Sequence, residues 1–233
     1  DIVSHWLLAV GGILLLGDII YRSIIIRFAA VTNMYESLLF FAALIVLVLF
    51  VYRLRFGEKT IRLIMFGGSM IAFVLIALAS SPLLPSDITP PIPTLQSYWL
   101  VLHITLAFMG EAFFVVAFVG AILYLFSKDP DKKTSLDRLT YTAVVIGYPL
   151  YTAGALIFGS VWAHFAWGSF WSWDPKETWA LVTWLVYTLY LHARLITRFR
   201  GTVTALIAVV GFLITIFTFL GVNFLMAGLH SYS

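Results

Sequence analysis

Seven stretches of this chain are apolar enough, and long enough, to demand one environment. They run at roughly 5–21, 34–52, 61–80, 99–126, 139–161, 177–196 and 202–226. A helix needs about 20 apolar residues to cross the hydrocarbon layer of a bilayer. Water is absent there, so each segment must satisfy its own backbone hydrogen bonds, which selects helices. The first stretch is short and has Asp18 inside it. Composition agrees: 62% of the 233 residues are hydrophobic and 11% are charged, where soluble chains have about 45–50% and about 25%. The expectation is an all-α, polytopic transmembrane helix bundle of about seven spans, with 1–233 forming a single domain. No nucleic-acid partner is expected. The chain has no Cys, which excludes disulfides, thiolate metal sites and a thiol nucleophile of its own. It begins with Asp and reads as processed or as a fragment, with no cleavable signal before the first span.

Basic residues orient the bundle. Arg53, Arg55, Lys59 and Arg62 fall in the 53–62 connection. Lys128, Lys132, Lys133 and Arg138 fall in 127–138, and Arg194, Arg198 and Arg200 in 194–201. These eleven of the fourteen Lys and Arg occupy alternate loops, leaving Arg22, Arg27 and Lys176 for the others. Cytoplasmic loops carry the excess of Lys and Arg, so the N-terminus is expected inside and the C-terminus outside. On the outer side, segment 81–98 holds five of the eight Pro and no basic residue. It reads as a stiff, partly polyproline-like connector.

The next outer loop carries "WGSFWSWDPKETW" at 167–179, and five of the eight Trp lie between 162 and 179. Membrane-interface belts also collect Trp, but a belt spreads over many helix ends. The concentration here predicts a flat aromatic surface on which a large planar ligand can stack. Asp174, Pro175 and Glu177 read as a helix start, with Asp174 as N-cap, Pro175 at the first position and Glu177 closing a capping box. Such a cap would hold the Trp loop rigid.

Five histidines sort by depth. His103 opens the fourth span and His230 follows the seventh, both on the outer side, and His164 lies in the outer loop before the Trp segment. His192 sits about fifteen residues into the sixth span, roughly 22 Å down at 1.5 Å per residue. His5 opens the first span on the inner side. Any one of these can be an amphipathic surface residue. Two outer imidazoles beside a Trp platform can instead hold a haem iron axially, and an ionisable group within a span is functional by default. Glu111, two turns below His103, is expected to face the bundle and not lipid.

The stretch "WGSFWSWDPKETWALVTW", with "SYWLVLH" upstream, "YLHARL" and "NFLMAGLHSY" downstream and "TNMYESL" at 32–38, resembles the CcsA (ResC) proteins of system II cytochrome c biogenesis. The Trp-rich segment, here at about 162–178, marks the wider "WWD" haem-handling superfamily. The "DPKET" continuation favours the CcsA branch. The resemblance implies that His103 and His230 ligate the iron of an outer haem. It also implies that Trp167, Trp171, Trp173 and Asp174 belong to the outer haem-binding platform, and that His192 ligates a transmembrane haem. One departure is "WAHFAWG", which places His164 and Phe165 where the family more usually has Asn and Glu. His164 thereby offers a competing outer ligand. The chain is also shorter than typical members.

What the resemblance implies chemically is holocytochrome c synthase activity of the haem lyase type. Haem b is delivered across the membrane and attached through thioethers to the CxxCH motif of apocytochrome c, together with a CcsB (ResB)-type partner. Thiol-reducing thioredoxin-like proteins are further partners. No catalytic residue is assigned to the chain beyond those that position haem. The membrane would be the bacterial inner membrane or the thylakoid, with the site on the periplasmic or lumenal side. Three rivals stand beside it: a haem transporter or exporter without ligation activity, a b-type electron-transfer subunit, and a plain membrane scaffold, which leaves the placement of the histidines unexplained. The electron-transfer class usually places paired His within spans on both sides, and the inner side here offers only His192 and His5.

Overall fold

The computed structural model describes residues 2–56 and 61–226, and side chains from residue 5 onward. Among the described residues every regular element is helical. The helices are α1 (Ile2–Ile26), α2 (Met34–Arg55), α3 (Ile61–Ala79), α4 (Tyr98–Phe126), α5 (Pro130–Tyr151), α6 (Gly159–Trp167), α7 (Pro175–Leu195), α8 (Thr202–Ile216) and α9 (Val222–Leu225). A π-helical stretch, Thr152–Phe158, joins α5 to α6, and a second, Phe217–Gly221, joins α8 to α9. The described residues therefore form seven helical rods, and six of these are long and apolar enough to cross a membrane. The seventh, α7, carries Lys176, Glu177, His192 and Arg194. It is an amphipathic rod packed on α5 and α8. The protein is an integral membrane helix bundle.

Two boundaries differ from the sequence expectation. The fifth span does not begin at 139 after a twelve-residue connection. It starts at Pro130, so Lys132, Lys133 and Arg138 ride on the first turns of α5, and it runs unbroken to Trp167. Asp129 makes this possible by accepting from the backbone N–H groups of Asp131 and Lys132, with Pro130 at the position where a missing N–H costs nothing. His164 consequently stands in the last turn of α6 and not in a loop.

Helix α4 is the centre of the bundle and packs against α2, α3, α5, α6, α8 and the first π-turn. Lipid tails give no hydrophobic incentive for helices to associate, so close contact and small residues carry the packing. A Cβ added at Gly110 of α4 would lie 2.7 Å from the backbone N of Tyr151 and 2.8 Å from the carbonyl of Gly147. One added at Gly154 would lie 2.2 Å from the backbone N of Ala107. The backbones of α4 and of the α5–π-turn rod thus touch along three glycines. Aromatics fill the space beside this seam, with Phe114 stacked on Tyr187 of α7 at 3.6 Å between ring centroids.

Polar ties close the two ends. At the end that gathers the basic residues, Arg194 donates to Asp137 at 2.6 Å and lies over the Tyr141 ring. At the opposite end Arg22 donates to Asp18 at 3.0 Å and to the carbonyl of Ser86, and covers the Tyr35 ring. Arg22 is therefore committed to pinning the Pro-rich connector, and does not act as a loop charge. Asn33 caps α2, and Glu36, fully buried, accepts from the backbone N–H of Thr32.

The glycine seam predicts a position-specific cost. Gly110→Ala should lower thermal stability by about 1–3 kcal/mol or more, as overpacking does. Gly11→Ala, where nothing lies within 4 Å, should stay within about 0.5 kcal/mol. A thermal melt in detergent compares them, and equal melting temperatures would refute the seam.

Candidate functional site

At the end away from the basic residues the rods part around a cleft of about 960 Å³, counted out to its open mouth. Its walls include His103 and Glu111 of α4, Trp162 of α6, Trp171 of the Trp segment, Lys176 of α7 and Asn223 of α9. Residues 103, 107 and 111 all line it. That spacing is one helix face, so the cleft follows α4 for two turns, about 12 Å.

His103 is held from two sides. Its Nδ1 lies 2.9 Å from the carbonyl oxygen of Gly154, and its ring is parallel, within 3°, to that of Trp162 at 6.1 Å. A carbonyl oxygen only accepts, so Nδ1 carries the hydrogen of this bond. An imidazole so oriented by a backbone carbonyl is a prepared metal ligand. The π-turn provides the partner: its widened helix presents Gly154 to α4, where a Cβ has no room. Such bulges recur at functional sites, and the second one places Thr218 and Phe219 on the opposite wall.

The Trp segment closes the mouth, and its shape comes from its caps. Gly168 ends α6 in the left-handed conformation, φ 79°. Asp174 starts α7 and accepts from the N–H of Lys176 at 2.9 Å. The Oε2 of Glu177 accepts from the N–H of Ser172, its hydroxyl, and the N–H of Asp174. The capping box expected from "DPKE" is present. Trp173, between two of these bonds, is forced to φ 59°.

The Trp rings do not form one flat face. Trp171 and Trp173 stand at 87° and Trp162 and Trp167 at 76°. Trp171 lines the cleft, whereas Trp173 is 68% exposed. The left-handed residues Gly168 and Trp173 turn successive side chains in different directions, so the Trp rings do not share the one plane expected from the sequence, and of them Trp162 and Trp171 line the cleft.

The histidines separate. His103 reaches the cleft. His230 lies outside the described residues. His164 is exposed and stacks on Phe170 at 4.2 Å and 4°. His192 is exposed in the last turn of α7, with Nδ1 2.8 Å from the carbonyl of Thr188. His5 stacks on Phe50 of α2 at 4.4 Å. Because α1 packs on α2 and α7 on α5 and α8, His5 and His192 belong to different helix pairings. Glu111 is 5% exposed and faces the cleft, as its position on α4 predicts. Lys176, Asn223 and the π-turns went unread. The one sequence signal for the first π-turn is Pro149 with Gly154 inside a span.

If the caps shape the rim, Glu177→Ala should free three donors. The cost should be about 1–3 kcal/mol, with faster amide exchange confined to 168–178 in hydrogen-exchange mass spectrometry. Unchanged exchange there would refute the assignment.

Residues 31–230 match the family model of the cytochrome c assembly protein. The cytochrome c biogenesis protein CcsA of Chlamydomonas reinhardtii is 41% identical over 215 residues, 86% of this chain and 60% of that protein. The CcsA of Guillardia theta is 36% identical over 86% of this chain and 75% of its own length. The CcsA of Cyanophora paradoxa is 31% identical over 98% and 89%. The chain thus spans less than two thirds of the Chlamydomonas protein. With the Trp rim, its capping box and the cleft-facing His103 all inside the matched region, the chain belongs to the cytochrome c assembly protein family, among the CcsA proteins of cytochrome c biogenesis.

Proposed function

We propose that this protein receives haem in the cleft and presents it for covalent attachment to apocytochrome c, working with a CcsB-type membrane partner as a holocytochrome c synthase. The observation that carries this reading is His103. Its ring, oriented by the carbonyl of Gly154, lines a cleft bordered by Trp162 and Trp171 and walled largely by apolar side chains. Haem is the substrate, and the chain's residues hold and aim it. His103 takes the iron on one face, and His230 is proposed for the other. Trp171 and Trp162 border the ring, and the capped Trp173 and Asp174 fix the rim.

The chain has no Cys, so both thiols come from the CxxCH segment of the apocytochrome. Each thiol S–H adds across a haem vinyl group: the C–S bond forms at one vinyl carbon and the hydrogen passes to the other. No oxidant is consumed. The protein's contribution is to bring thiol and vinyl together, which replaces a bimolecular encounter with a positioned one. His192, exposed in the last turn of α7 at the opposite end, is proposed as a ligand for haem in transit, completed by a residue of the partner.

The test is the absorption spectrum of the purified protein together with thioether product formed by co-expressed apocytochrome c and partner. The wild type should carry haem and yield product. His103→Ala should lose six-coordinate haem and product, and added imidazole should restore part of both. His164→Ala should change neither. Normal six-coordinate spectra in His103→Ala, or loss in His164→Ala alone, would overturn the outer-site assignment. Haem without any thioether product would identify a transporter. Separately, His192→Ala should lower the total haem that copurifies, and unchanged haem would remove His192 from the route.

A further inference from the structure

One part of the cleft is polar in a way that holding iron at His103 does not require. Lys176 of α7 and Glu111 of α4 both line it. Their backbones are fixed, that of Lys176 by the Asp174 cap and that of Glu111 by the glycine seam one residue away at Gly110. Lys176 Nζ donates to Asn223 Oδ1 at 3.1 Å, and Asn223 is itself anchored through its Nδ2 on the carbonyl of Phe219. An ammonium has three donors, and this one forms no ion pair among the described residues. Glu111 Oε2 is buried and has no hydrogen-bond partner among them either. A charged donor and a carboxylate oxygen thus face one apolar cleft without meeting. Leaving such groups unsatisfied in a membrane interior is costly, and a bridging group must accept from Lys176 while donating to Glu111.

We propose that this part of the cleft is a carboxyl subsite, in which Lys176, Asn223 and Glu111 take one propionate of the tetrapyrrole. The proposal rests on the haem reading above. A propionate carboxyl that shares one proton with Glu111 supplies both halves of the bridge: one oxygen accepts from the Lys176 ammonium, and the shared proton lies between the other oxygen and Glu111. The charges of Lys176, Glu111 and the propionate then balance. Of the other acids nearby, Asp174 caps α7, and Glu177 accepts through Oε2 from Ser172 and Asp174, while its Oε1 has no hydrogen-bond partner among the described residues. Glu111 lies about 12 Å along α4 from His103. Anchoring a propionate there orients the macrocycle in its own plane, which ligation of the iron alone leaves free to rotate. The two vinyl groups would thereby be kept toward the mouth, where thiols arrive.

The experiment titrates the full chain in nanodiscs with haem and, separately, with haem dimethyl ester, following the Soret band. The wild type should prefer haem by about tenfold, the worth of one charge-assisted hydrogen bond. Lys176→Met should bind haem as weakly as the ester while its affinity for the ester stays at the wild-type value, which also shows that it is folded. Lys176→Arg should keep the preference, and Glu111→Gln should reduce it. Equal wild-type affinity for the two ligands would overturn the subsite, as would Lys176→Met weakening both alike, the result of a purely structural Lys. A wild type that binds neither ligand would instead overturn the haem reading itself.

Discussion

The contact between α4 and the α5–π-turn rod is what the rest of the molecule depends on. In lipid two helices gain nothing by hiding apolar surface, so they hold together only where they fit. Gly110, Gly147 and Gly154 let these two backbones touch. That approach brings the Gly154 carbonyl to His103 and leaves the cleft open along the adjoining face of α4. A bulkier residue at any of the three would separate the rods, and the histidine would lose its partner together with its wall.

Charged residues are scarce in this chain, 11% of the whole. Several fasten ends: Arg22 with Asp18 and Ser86, Arg194 with Asp137, Glu36 with Thr32 and Glu177 with Ser172. Such ties keep the rods in register at the interfaces, where α-helix termini expose unpaired donors and acceptors. Lys176 and Glu111 are different. Both stand at the cleft, and neither fastens one end to another through an ion pair. In a membrane protein that is the pattern of groups kept for a ligand.

Much of the site was legible because its signals are local. The capping box follows from Asp174 and Glu177 three residues apart, and the bundle-facing side of α4 follows from the eight-residue spacing of His103 and Glu111. The relatives match because the Trp segment is a contiguous string. The flat Trp platform was not legible correctly, because ring orientation depends on backbone dihedrals at Gly168 and Trp173, which composition does not report. The start of α5 was misplaced for a related reason: charges on the first turns of a helix look like a loop to a hydropathy window. The π-turns left almost no trace, since one extra residue in a helical run alters no periodicity that a short apolar span can display.

By itself, the sequence determined that this chain spans a membrane as helices, that its basic residues gather at one end, and that Trp, Asp174 and Glu177 form a capped segment at the other. These follow from transfer energies and from bonds within a few residues, which need no tertiary partner. Only the tertiary structure decided that the carbonyl of Gly154 orients His103, that Lys176 and Asn223 meet across 47 residues, and that Glu111 shares their cleft. It also turned His192 and His164 away from that cleft. Those outcomes depend on how far two helix backbones can approach, and that distance is set by glycines and a π-turn whose effect exists only once the rods are packed.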